Sequence, residues 1–194
     1  QQLEALRASD GARRWTAALS GQMVNSSDLA GTSWATDGAR VYLALVRSGS
    51  NAGTPGTSIY AFAPRDGRLV WRRDVTPMRA TITSIHISSL ALAGTSLYLL
   101  DPDTTLSAIV AGSGALLWQA DEMSPTPASA AGQSGMASMA LDPAGGALYV
   151  GGNRLTAVDM TSGATRWQSI PNAMTTLYTG LYWAPSVGPP AFGG

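Results

Sequence analysis

The stretch AVDMTSGATRW, residues 157–167, sets an alanine, a glycine and a tryptophan at Ala157, Gly163 and Trp167, and the chain uses that spacing three more times. ALRASDGARRW places Ala5, Gly11 and Trp15; AFAPRDGRLVW places Ala61, Gly67 and Trp71; AIVAGSGALLW places Ala108, Gly114 and Trp118. A second frame precedes the last three copies, a glycine four residues before a tyrosine: Gly38 and Tyr42, Gly94 and Tyr98, Gly145 and Tyr149. Each tyrosine lies in a short β-branched or aromatic run (VYLALV, LYLL, ALYV) that follows turn residues, the signal of a strand. The segments SWAT, SSLAL and MASMAL before them read as further strands. One unit is thus four antiparallel strands, the last ending in tryptophan, with Asp-Gly or Ser-Gly expected to form a two-residue hairpin loop before it.

The tryptophans are 56, 47 and 49 residues apart, close to the ~40–50 residues of a propeller blade. Helical repeats would need apolar residues at i, i+3, i+4 and i+7 over ten or more positions, whereas these runs are short and bounded by Gly, Asp, Ser and Pro. The expected fold is all-β: a β-propeller of four-stranded antiparallel blades, about four of them in this chain. A four-stranded blade cannot cover both of its faces, so Trp15, Trp71, Trp118 and Trp167, with the hairpin glycines Gly11, Gly67, Gly114 and Gly163, are expected to pack between blades. Residues 1–183 read as one domain, with repeats at about 1–20, 30–76, 86–121 and 136–170, a partial repeat at 174–183, and a Pro/Gly-rich tail at 184–194. Because the first repeat supplies only the last two strands of a blade, two arrangements are open. Residues 174–183 complete that blade and close a four-bladed ring, or the chain is part of a larger ring with an exposed blade face.

This frame resembles the PQQ-like (pyrroloquinoline-quinone-type) β-propeller repeat, in which strands three and four read Ala-aliphatic-Asp, Thr/Ser-Gly, Trp. LTAVDMTSGATRW, residues 155–167, fits it best, while Val110 and Ala63 replace the aspartate in two other copies. The resemblance implies the propeller fold and leaves the activity open, since the repeat occurs in enzymes and non-enzymes. Quinoprotein dehydrogenases of this family hold the quinone and a calcium ion in a full ring, with a carboxylate base and often a cysteine pair. The non-enzymatic branch includes outer-membrane-assembly lipoproteins and the ectodomains of bacterial sensors.

Composition narrows the choice. The 194 residues contain no cysteine and one histidine, which removes disulfides, thiolate chemistry and any multi-histidine metal site. Charged residues make up 12% and the formal net charge is +0, so no basic surface is expected to neutralise phosphate or an anionic membrane. There is no lysine, and Glu4 and Glu122 are the only glutamates. No apolar run reaches the ~18 residues of a membrane span, and the opening QQLEALRASD lacks the pattern of a signal peptide.

Individual candidates are few. Arg72, Arg73 and Arg79, with Asp74, form the one local charge cluster, a docking patch for a partner or a solvated linker. His86, in TSIHISS, is either a channel-facing partner contact or a solvent-side strand residue. Asp101 and Asp103 in DPDTT suggest an oxygen-rich turn, but one without the further acidic ligands of a calcium loop. The insertion 48–57 (SGSNAGTPGT) reads as a protruding hairpin loop, and Asn25 heads a formal glycosylation sequon. The expectation is a non-catalytic scaffold or protein-interaction module, extracytoplasmic and bacterial, with no catalytic residue, cofactor or metal. Its partners are proteins or further copies of itself, without nucleic acid. One alternative is a structural subunit of an extracellular or multi-subunit assembly; a second is a fragment of a PQQ-dependent dehydrogenase.

Overall fold

The computed structural model describes residues 2–19, 32–47, 56–76, 78, 89–101, 105–121, 138–151 and 155–169. These residues form fourteen strands and no helix. The first sheet is the two-stranded hairpin β1 (Gln2–Leu6) and β2 (Arg13–Ala18). The second is β3 (Thr32–Thr36), β4 (Val41–Arg47), β5 (Gly56–Phe62) and β6 (Leu69–Val75). The third is β7 (Ser89–Ala93), β8 (Ser96–Leu100), β9 (Thr105–Val110) and β10 (Leu116–Asp121). The fourth is β11 (Ser138–Asp142), β12 (Ala147–Gly151), β13 (Leu155–Asp159) and β14 (Thr165–Ser169). Every strand pairs antiparallel with its sequence neighbour inside its sheet. This is the meander of a propeller blade.

The sheets stack face to face, and strand alternation decides what lies between them. On β4 and β5, Leu43, Leu45, Tyr60 and Phe62 face the first sheet and meet Leu3, Ala17 and Leu19. Tyr42, Ala44, Ile59 and Ala61 face the other way and meet Leu90, Leu97, Leu99 and Ile109 of the third sheet. The third sheet repeats the arrangement, turning Tyr98, Leu100, Leu106 and Ala108 toward Leu148, Val150 and Val158 of the fourth. The middle strands are therefore covered on both faces, and all seven residues of β5 are buried. The outer strand β14 is exposed along its length, because no described residue packs over it. Strands β3, β7 and β11 approach one another in succession, and the described sheets trace an open arc.

The hairpin before each tryptophan strand differs from expectation. Gly67 N–H donates to Ala63 O and Ala63 N–H to Arg68 O, both at 2.9 Å, so four residues, 64–67, form the loop instead of two. The same pair of bonds closes 8–11, 111–114 and 160–163. Only the last loop residue is left-handed, with φ of 70° at Gly11, 72° at Gly67, 75° at Gly114 and 74° at Gly163. An Asp-Gly or Ser-Gly pair serves either loop length, and here the glycine ends a longer turn and leads into a register shift in the strands beyond.

Candidate functional site: the joint between blades and its open ends

The two sequence frames meet in one place. In the second sheet Tyr42, Ala61 and Trp71 are directly opposed on β4, β5 and β6. Tyr98, Ala108 and Trp118 repeat this in the third sheet, and Tyr149, Ala157 and Trp167 in the fourth. The methyl group of the central alanine lets the flanking rings converge, with centroids 5.9 Å apart for Tyr42 and Trp71, 6.1 Å for Tyr98 and Trp118, and 5.9 Å for Tyr149 and Trp167.

The pairs of the second and third sheets then engage the four-residue turn of the following blade. Trp71 Nε1 donates to Ala111 O at 3.0 Å, and the Tyr42 hydroxyl lies 3.2 Å from the same oxygen. Trp118 Nε1 donates to Met160 O at 3.1 Å, with the Tyr98 hydroxyl 3.2 Å away. Trp15 Nε1 donates to Pro64 O at 2.9 Å. The indole ring lies flat against the turn glycine: a Cβ on Gly67 would come within 2.7 Å of Trp15 Cδ2, on Gly114 within 2.8 Å of Trp71 Cε3, and on Gly163 within 2.6 Å of Trp118 Cε3. Glycine is thus required twice, by the left-handed φ and by the ring above it. Burial, together with the hydrogen bond to Asp37 Oδ2 at 2.7 Å, pushes the Tyr42 phenol up to about 12. Burial likewise raises Tyr98, so both phenols keep their protons and act as donors.

Two residues expected between blades meet no partner blade among the described residues. Trp167 is 44% exposed, because no described blade follows the fourth sheet. Gly11 has nothing within 4 Å of where its Cβ would stand, because no described blade precedes the first. The turns missed in the sequence are the acceptors Pro64, Ala111 and Met160, which offer backbone oxygen and so share no side-chain signature. Arg166 was missed as well. It donates to Gly145 O, Gly146 O and Asp159 Oδ2 at 2.7–2.8 Å and ties two hairpins of the fourth sheet together. That contact and the Ser162 bonds hold the Asp159 carboxyl well below the usual carboxylate range.

The arginine cluster is divided by strand alternation. Arg72 reaches Asp74 at 3.0 Å and lies 5.4 Å over the Tyr60 ring, on the side of the second sheet that faces the first. Arg73 points the opposite way and donates to Gly114 O of the third sheet at 3.4 Å. Arg79, His86, Asn25, Asp103 and residues 174–183 lie outside the described residues, as does most of the insertion at 48–57. Among the described residues no three His, Cys, Asp or Glu side chains converge as a metal site would need. No helix of the described residues is long and apolar enough to cross a membrane.

A known family matches residues 1–177 of this sequence, with the description outer membrane protein assembly factor BamB. No curated protein sequence matches the chain. Among solved structures, BamB from Moraxella catarrhalis superposes with a TM-score of 0.60 at 20% identity, over 87% of this chain and 46% of that one. The quinohemoprotein alcohol dehydrogenase from Comamonas testosteroni gives 0.60 at 14% identity, over 87% of this chain and 32% of that one. A europium-containing methanol dehydrogenase gives 0.57 at 12% identity, over 86% and 38%. At these identities the likeness is one of fold, and the chain spans less than half the length of each.

Proposed function

The chain belongs to the family described as outer membrane protein assembly factor BamB, and on that footing we propose that it is a non-catalytic propeller scaffold that holds other proteins outside the cytoplasm. The observation that carries the reading is how the repeat's residues are used. The tyrosine, alanine, tryptophan and glycine that define the repeat make blade-to-blade joints. Such joints stiffen a surface for display, and rigid display lowers the ordering cost of binding a protein. The near absence of net charge favours contacts built on shape and backbone hydrogen bonds over electrostatic steering.

The dehydrogenase structures of similar fold keep a second reading in view, that of a quinone-dependent oxidoreductase. One pair of assays separates the two. The chain, produced in the periplasm of a bacterium and cross-linked there, should be recovered with components of outer membrane protein assembly. Supplied with quinone, calcium and a primary alcohol, it should not reduce an artificial electron acceptor. Turnover in the second assay without recovery in the first would replace the scaffold by the enzyme.

A further inference from the structure

The net charge of zero conceals an uneven spread. Residues 80–153 contain no arginine and no lysine, and every arginine except Arg154 and Arg166 precedes residue 80. The structure gathers part of that excess at one joint. Trp15 of the first sheet lies on Gly67 in the turn of the second, which sets Arg14 beside the turn that contains Arg65 and is followed by Arg68. All three arginines are exposed. At the same end of the sheets Arg7 pairs with Asp10 at 3.0 Å and Arg40 with Asp37 at 3.6 Å. Arg14, Arg65 and Arg68, by contrast, have no ion pair among the described residues. Asp66, inside the turn, accepts the Arg68 backbone N–H at 3.1 Å, and Leu69, the next residue, is 43% exposed.

The repeat shows that the joint itself does not need these cations. Where the first joint has Arg14, the next two have Val70 and Leu117; where it has Arg65 and Arg68, they have Gly112 and Ala115, then Thr161 and Ala164. All three joints form with the same indole-to-turn hydrogen bond. The position before the tryptophan also stays open in a sheet flanked on both sides, since Leu117 is 53% exposed. We propose that Arg14, Arg65 and Arg68 form a docking site for a short acidic segment of a partner protein, taking its carboxylates while an apolar side chain rests on Leu69. This rests on the scaffold reading and names the chemistry of what is held. Guanidinium groups match carboxylates in two-point hydrogen bonds. A segment fits better than a charged plane. Anionic membranes are held by clusters of ~4–8 cations, whereas the turns of the third sheet at 93–96 and 111–115 offer none, and Asp142 and Asp159 border those of the fourth.

Fluorescence anisotropy with a labelled peptide of repeated Asp-Leu-Gly tests this on the isolated chain. Binding should saturate, weaken as salt is raised, and be lost when Asn replaces Asp in the peptide. Arg14→Gln, Arg65→Thr and Arg68→Ala should each weaken binding about twofold or more, and together at least about tenfold, as exposed charge pairs do. Thr and Ala stand at the matching positions of the fourth sheet, so the melting temperature should hold and the loss is one of binding. Arg7→Gln removes a paired cation from the same end and should leave the affinity unchanged. The proposal is overturned if the peptide does not bind, if the triple variant binds as tightly as wild type, or if Arg7→Gln costs as much as each site variant. It is also overturned if phosphatidylglycerol vesicles bind and the peptide does not, or if the three changes act by dissolving a dimer of the chain. Failure here is separable from failure of the scaffold reading. Cross-linking that still recovers assembly components with the triple variant, and no peptide bound by wild type, removes the site and leaves the scaffold standing.

Discussion

Ala108 shows what a single residue decides in this protein. It is fully buried between Tyr98 and Trp118, and any larger side chain would part the two rings that converge on Met160 O. Ala108→Leu is expected to cost ~1–3 kcal/mol by overpacking, and Trp118→Ala ~3–5 kcal/mol through the cavity left at the joint, both read from urea unfolding. Gly114→Ala adds a collision with Trp71 to left-handed strain, whereas Gly38→Ala carries the strain alone. The first should therefore be the more destabilising by at least ~1 kcal/mol. Asp159 gives a pH signature. Its folded pKa is depressed, chiefly by Arg166, so the stabilisation is complete above the ordinary carboxylate pKa of ~3.9 and is lost as pH falls through the lower folded value. The melting-temperature gap between wild type and Asp159→Asn should be widest near neutrality and narrow below pH ~4. The tyrosine, alanine and tryptophan frames were legible as spacing alone. Their common target was not, because Pro64, Ala111 and Met160 share a carbonyl and no side-chain chemistry.

At the scale of the strand, burial on both faces separates the middle strands from the rims. Strands β5 and β9 are buried almost throughout, and β14 is exposed. Amide exchange followed by mass spectrometry should accordingly find β5 and β9 the slowest to exchange and β14 among the fastest. Strand positions were readable from short apolar runs between turn residues. The loop length was not, since Asp-Gly and Ser-Gly fit both a two-residue and a four-residue hairpin and only the backbone bonds distinguish them. The arginine cluster looked continuous in sequence because sequence adjacency hides alternation. Arg72 and Arg73 leave opposite faces of β6, so a shared docking patch would need residues from two different gaps between sheets.

For the whole molecule, stability is a sum over neighbours, each sheet covering the one beside it. The first hairpin thus protects more than itself. Removing residues 2–19 would uncover Leu43, Leu45, Tyr60 and Phe62, and the shortened chain should melt several degrees lower and bind a hydrophobic dye that the full chain does not. The propeller architecture was legible at this scale because tryptophans 56, 47 and 49 residues apart leave little room for another repeat fold.

The turn and the aromatic row of each blade point in opposite directions around the arc, and this gives the gene a simple grammar. A segment running from one tryptophan to the next encodes half of one joint and the complementary half of its neighbour. Tandem duplication of such a segment adds a blade that fits both flanks without any compensating change, so the length of the array can change by whole units while the rules of its assembly stay the same.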